Sequence, residues 1–303
     1  MARGFLNSAA GSGGGKNGVF IVDASTLVAG DTVKVQSMID PTQVWTEEVA
    51  SGDTYILFEV PGKSYYKISL VQDISDVPTE MVTIFRTLDE GQSVLCNVLN
   101  KTTLAGIQAI LNAHSELDLL NIGDEVTIHI GGVEHTVEIA AMNLYADHEV
   151  IFASKTIIAG GPYSLSNAGY SGQNIRTKTI DWYNSIDASD KEFIKQKRVY
   201  SSTFSGMSDV NDYAFIPTVT EITGTNTYNA TEQSNNFQFP LFVNQSNRIR
   251  KDAGGTARAW YGSSGQTSND RWWRVLDTGA VDNPVYSSQS CYICPCFHLT
   301  ADV

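Results

Sequence analysis

From Gly18 the chain alternates apolar and polar residues in short runs, "VFIVDA", "DTVKVQSMI", "TYILFEV" and "YYKISLV", broken by Ala-Gly-Asp, Ser-Gly-Asp and Pro-Gly-Lys. A period of two sends successive side chains to opposite faces, so each run reads as a half-buried strand and each break as a turn. Strands at this spacing predict a small immunoglobulin-like β-sandwich over residues 18–75. "VTIFRTL" and "QSVLCNVL" follow, and either complete the sandwich or form a connecting hairpin; residues 76–101 are assigned here as a β connector.

The rhythm then changes. In "NKTTLAGIQAILNAH", Leu104, Ile107, Ile110 and Leu111 recur at helical spacing behind a Thr102/Thr103 cap, which predicts one amphipathic helix. "LNIGDEVTIHIGGVEHTVEIAAM" and "EVIFASKTI" return to alternation and predict a hairpin turning at Gly131-Gly132, plus a third strand. A second helix is predicted across "NIRTKTIDWYNSI", with Ile175, Thr179, Trp182, Tyr183 and Ile186 along one side. Ser189-x-x-Glu192 predicts the start of a third through a capping box. Beyond residue 200 the pattern is mostly irregular, as in long loops that display binding groups. Residues 1–17, glycine-rich with only Phe5 and Leu6 to bury, read as a flexible attachment arm. The chain is thus expected to be mainly β, with an α+β C-terminal part over residues 102–303.

Composition narrows the function. The 303 residues are 42% apolar and 17% charged, enough to bury more than one core. A net charge of -13 argues against nucleic acid as a partner, because such affinity rests on clustered Lys and Arg. No run approaches a membrane span or a secretory leader, so neither membrane insertion nor export by that route is expected.

Several segments carry a family resemblance. "TTLAGIQAILNAHSELDLLNIGDEVTI", "IDWYNSI", "FIPTVTEI", "ARAWYGSSG" and "RWWRVLDTGAVDNPVYSSQSCYICPCFHL", in that order, resemble an uncharacterised domain common in bacteriophages and gut Firmicutes. Trp260-Tyr261-Gly262-Ser263-Ser264 stands where that family has a Trp-Trp-Leu-Arg-Ser-like segment, Thr278-Gly279 where it has an Asp-Gly turn, and Ile293-Cys294-Pro295-Cys296-Phe297 at its closing strand. The Arg of both family segments is absent, so no role of that Arg transfers. The family is similar to the C-type-lectin-like fold of formylglycine-generating enzymes and phage tropism determinants.

The resemblance implies a bacteriophage virion structural protein of tail-fibre or baseplate type, whose lectin-like domain binds a host surface glycan or protein. Its arm would hold other virion proteins, the assembly would be a homo-oligomer, a trimer by expectation, and the location the virion. The alternative is a capsid decoration, head-fibre or spacer protein contacting virion subunits alone.

The candidate ligand-binding residues are Trp260, Tyr261, Asn269, Trp272, Asp282, Asn283 and Tyr286, because rigid aromatics interleaved with short polar groups are what recognition loops use. The competing reading puts Trp260 and Trp272 in the core.

No catalytic role, cofactor or metal is expected. In "CYICPCFHL" an unbroken strand would put Cys294, Cys296 and His298 on one face and Ile293, Phe297 and Leu299 on the core face. Zinc would need a fourth ligand from Cys96 or Cys291, so buried free thiols are the preferred reading. Paired carboxylates hydrolysing a polysaccharide remain a competing possibility from sequence.

Overall fold

The structure is a computed structural model. It describes residues 16–302 except 26, 75–76, 98–100, 115, 163–169, 171–172, 204–205, 228, 266–270 and 287. Of the arm expected over 1–17, all but Lys16 and Asn17 lies outside the described residues. The protein is mainly β, with 46% of residues in strands against 20% in helices, and it divides into two compact units, Met1–Ile110 and Leu111–Val303.

In the first unit β1 (Asn17–Asp23), β4 (Tyr55–Pro61) and β7 (Ser93–Asn97) form one sheet in the order β4-β1-β7. A second sheet runs β3-β2-β5-β6, from β2 (Thr32–Ser37), β3 (Val44–Glu48), β5 (Ser64–Ile74) and β6 (Val77–Leu88). Alternation along β1, β2 and β4 turns Phe20, Val22, Val33, Val35, Ile56, Phe58 and Val60 inward, onto Tyr66, Ile68 and Leu70 of β5. The two sheets therefore share one core, which defines a sandwich.

The connector assigned to 76–101 is corrected here. β6 pairs antiparallel with β5 from Ser64↔Leu88 onward, and β7 runs parallel to β1. Leu88 and Cys96 are buried in the shared core, so the sandwich needs both strands to close.

The helix α1 (Leu104–Asn112) forms as its pattern predicts: Leu104, Ile107, Ile110 and Leu111 are buried, and Thr103 Oγ1 accepts the Gly106 N–H. The unit boundary falls within this helix instead of at residue 102.

The second unit is built on two five-stranded sheets. The first runs β14-β21-β10-β9-β8, from β8 (Glu125–Ile130), β9 (Val133–Met142), β10 (Glu149–Ser154), β14 (Ala214–Phe215) and β21 (Cys296–Thr300). The second runs β11-β20-β17-β18-β19, from β11 (Ile158–Pro162), β17 (Trp260–Gly265), β18 (Arg271–Val275), β19 (Val281–Tyr286) and β20 (Ser290–Ile293). Two hairpins are added, β12 (Lys197–Thr203) with β13 (Gly206–Asp212), and β15 (Arg250–Lys251) with β16 (Ala257–Arg258). Strands thus fill much of the region beyond residue 200, where loops were expected; β14 and β17 are buried at every position and so leave no alternation to read.

Short helices stand between the strands: α2 (Glu116–Leu119), α3 (Asn174–Ser185), α4 (Ala188–Lys191), α5 (Val219–Thr223) and α6 (Ala230–Asn235). The hairpin of β8 and β9 turns at Gly131 and Gly132, whose φ of 59° and 77° suit a two-residue turn that side chains resist. The helix α3 matches its prediction, burying Ile175, Thr179 and Trp182. In contrast, α4 lacks the expected Ser189/Glu192 box: its N-cap is Asp187, whose side chain instead accepts the Gly132 N–H and so ties the hairpin turn to the helix.

Candidate functional site

A concave groove of about 450 Å³ opens on the second unit. Its walls come from distant parts of the sequence: His135 of β9, Thr156 to Ala159 around the start of β11, Trp182 of α3, Asp252 to Gly254 between β15 and β16, and Tyr292 of β20. Pairing explains the convergence. The register of β11 with β20 sets Ala159 opposite Tyr292, and the Ile157 N–H donates to Lys251 O at 3.0 Å, which draws the β15–β16 loop beside them. Trp182 arrives from the buried stripe of α3, its ring 6.3 Å from that of Phe297.

The lining is mostly apolar, with one polar edge. There Asp252 Oδ1 accepts the N–H groups of Gly254 and Thr256, both at 3.0 Å, and Oδ2 accepts Arg258 Nε at 2.8 Å. The Arg258 guanidinium, helped by the Thr256 amide, holds this carboxyl below its usual range. Arg258 also lies 5.8 Å from the centre of the Tyr292 ring, so one ion pair fixes both the loop and the aromatic wall. Such a surface suits an amphipathic ligand, its apolar face on the rings and its polar groups at the loop edge. Among the described residues of the lining, Asp252 is the one carboxylate.

The residues singled out from sequence go elsewhere. Trp260 and Tyr261 are 0% exposed and Trp272 is 2% exposed, which corrects their assignment as ligand contacts: a ring enclosed by the core presents no face to a ligand. Trp260 Nε1 donates to Arg248 O at 3.0 Å, and the Tyr261 hydroxyl donates to Gln289 O. Trp272 lies opposite Gly265 in the β17–β18 ladder, where the absent Cβ leaves room for its ring. Asp282 is half-buried and pairs with Arg274 Nη2 at 2.6 Å. Asn283 and Tyr286 stand on β19, a sheet-edge strand, with side chains outside the described residues, and Asn269 is outside them altogether.

The cysteine motif is two strands, not one. The chain leaves the second sheet after Ile293, crosses at Cys294-Pro295 and joins the first sheet at Cys296. Residues on both faces are buried, so the expected division into a sulfur face and a core face does not hold. All four cysteines are free and buried. Cys294 Sγ donates to Ser154 O at 3.4 Å, while His298 Nδ1 faces Glu149 Oε1 at 2.8 Å. A hydrogen bond from Cys296, helped by buried Arg250, lowers the Cys294 thiol, and burial pushes Cys296 up. Among the described residues no group of three His, Cys, Asp or Glu is arranged to hold a metal.

Buried carboxylates form a further layer that sequence reading passed over. Glu232 is 0% exposed and accepts the Ser202 N–H and the hydroxyls of Thr220 and Ser264. Glu221 belongs to a capping box with Thr218 and also meets Lys197 and Tyr145. The box was legible as Thr218-x-x-Glu221 within "PTVTEI".

Compared with known proteins, the chain matches no family model, no curated protein and no solved structure.

Proposed function

We propose that this protein is a non-catalytic bacteriophage virion component of tail-fibre or baseplate type, and that its second unit binds a glycan or protein on the host surface. The observation that carries the reading is the groove beside Tyr292, a mostly apolar concavity with one polar edge at Asp252. The ordered series of resembling segments across residues 102–303 supports the virion assignment, and the mainly β, two-unit organisation is compatible with a spacer and a terminal recognition unit. Attachment through the N-terminal arm and assembly as a trimer belong to the same proposal.

One observation favours the alternative of a capsid decoration or spacer protein: the aromatics Trp260, Tyr261 and Trp272 are occupied in the core, which removes much of the recognition surface expected from sequence. The discriminating experiment is binding of the labelled full-length protein to a panel of Gram-positive gut bacteria, beside a Tyr292→Ala variant. Saturable binding that Tyr292→Ala weakens at least about tenfold, the scale of one lost aromatic contact, supports recognition through the groove. Absence of binding to cells that the virus itself adsorbs to supports the decoration reading.

A further inference from the structure

Lys197 of β12 and Glu221 of α5 form an ion pair almost sealed from water, their side chains 6% and 2% exposed. Nζ stands 3.1 Å from Oε1. The rings of Tyr145 and Phe215 lie 4.1 and 4.6 Å from the ammonium and close the site to solvent. The two carboxylate oxygens differ in their partners. Oε1 receives both the lysine and the Tyr145 hydroxyl, the latter at 2.8 Å, whereas Oε2 accepts the Thr218 N–H at 2.8 Å. The capping box fixes the backbone of Glu221 through Thr218 Oγ1, so the carboxyl is held from both ends.

We propose that Lys197 and Glu221 condense into an intramolecular amide that joins β12 covalently to α5. The step begins with transfer of one proton from Nζ to Oε1 across their 3.1 Å contact, giving amine and carboxylic acid. The amine nitrogen then adds to Cδ. Its approach is set by the fold, which replaces the entropy cost of bringing two groups together. Charge developing on Oε2 meets the Thr218 N–H, a donor already in place. The Cδ–Oε1 bond breaks as the Tyr145 hydroxyl passes a proton to Oε1 and is reprotonated by the nitrogen. The balance is one ammonium and one carboxylate giving one amide and one water, with no oxidant or other reactant. Burial and the neighbouring Glu221 charge keep Tyr145 in its protonated form, as a donor must be.

The test is the intact mass of the full-length protein, followed over days at neutral pH and read after denaturation. The expected mass is below that of the sequence by one water, with digestion yielding a branched peptide that joins the segments around 197 and 221. Lys197→Arg, which keeps the charge and the pairing, should show the full sequence mass. Glu221→Gln should lose ammonia and reach the same cross-linked mass as the wild type, an outcome that a merely structural cap would not give. Tyr145→Phe should slow the loss. A wild-type mass equal to that of the sequence throughout overturns the proposal, as does a lost water that maps to a cyclised aspartate.

Discussion

At the scale of single residues, burial decides what the aromatic and acidic side chains do. Trp260 is enclosed and hydrogen-bonded to Arg248 O, so Trp260→Ala removes both packing and a satisfied donor. It should cost about 3–5 kcal/mol of stability, read from a shift of the denaturant midpoint at unchanged slope. Glu116 offers a second test. Burial alone would raise its pKa, but hydrogen bonds from Asn143, from its own backbone and from His148 outweigh that and lower it from 4.5. A lowered folded pKa means that the contribution is complete above the unfolded value and is lost as pH falls through the folded one. The stability gap between wild type and Glu116→Gln should therefore be widest above pH 4.5 and narrow below it, as checked by urea titrations from pH 7 to pH 3. A gap that widens on acidification would contradict the assignment.

At the scale of elements, tight turns and strand pairing set the geometry. Gly279 has φ of 77°, and a Cβ there would lie 2.2 Å from Gln245 O, a backbone atom with little freedom to retreat. Gly279→Ala should therefore cost about 1–3 kcal/mol, seen as a lower thermal midpoint, and a neutral result would show that the turn joining β18 to β19 can rearrange. Local signals of this kind were legible. The Gly131-Gly132 turn, the α1 stripe with its Thr103 cap and the α3 stripe are all fixed by neighbours within a few residues. The Ser189-x-x-Glu192 pattern was misleading because Asp187, two residues earlier, is recruited by the Gly132 amide and starts α4 first. The single strand expected over 291–299 failed for a different reason: the chain changes sheets at Cys294-Pro295, and Pro295, with no N–H to give a ladder, was the local mark of that break.

At the scale of the whole molecule, the two units have separate cores, one around Phe20, Val35, Ile56 and Ile68, the other around Phe215, Phe242, Trp260 and Ile293. Separate cores need not melt together, so calorimetry of the full chain should resolve two transitions, and Trp260→Ala should move one of them alone. One transition displaced as a whole by that substitution would show the units to be energetically coupled. The groove is likewise a whole-molecule feature. His135, Trp182, Asp252 and Tyr292 share no motif and little sequence proximity, and they meet because β11 pairs with β20 and the β15–β16 loop folds over that seam.

The sequence by itself determined the mainly β class, the alternating strands of the first unit, the helices α1 and α3 and the Gly-Gly hairpin, because each depends on periodicity or on backbone freedom over a few positions. Only the tertiary structure decided that Trp260, Tyr261 and Trp272 are core, that β6 and β7 close the sandwich, and that Lys197 meets Glu221 beside Tyr145 in a dry enclosure. An aromatic residue in turn-like sequence has the same local appearance whether a sheet covers it or water does. What separates the two cases is the pairing of strands distant in the chain, and pairing leaves no mark at any one position.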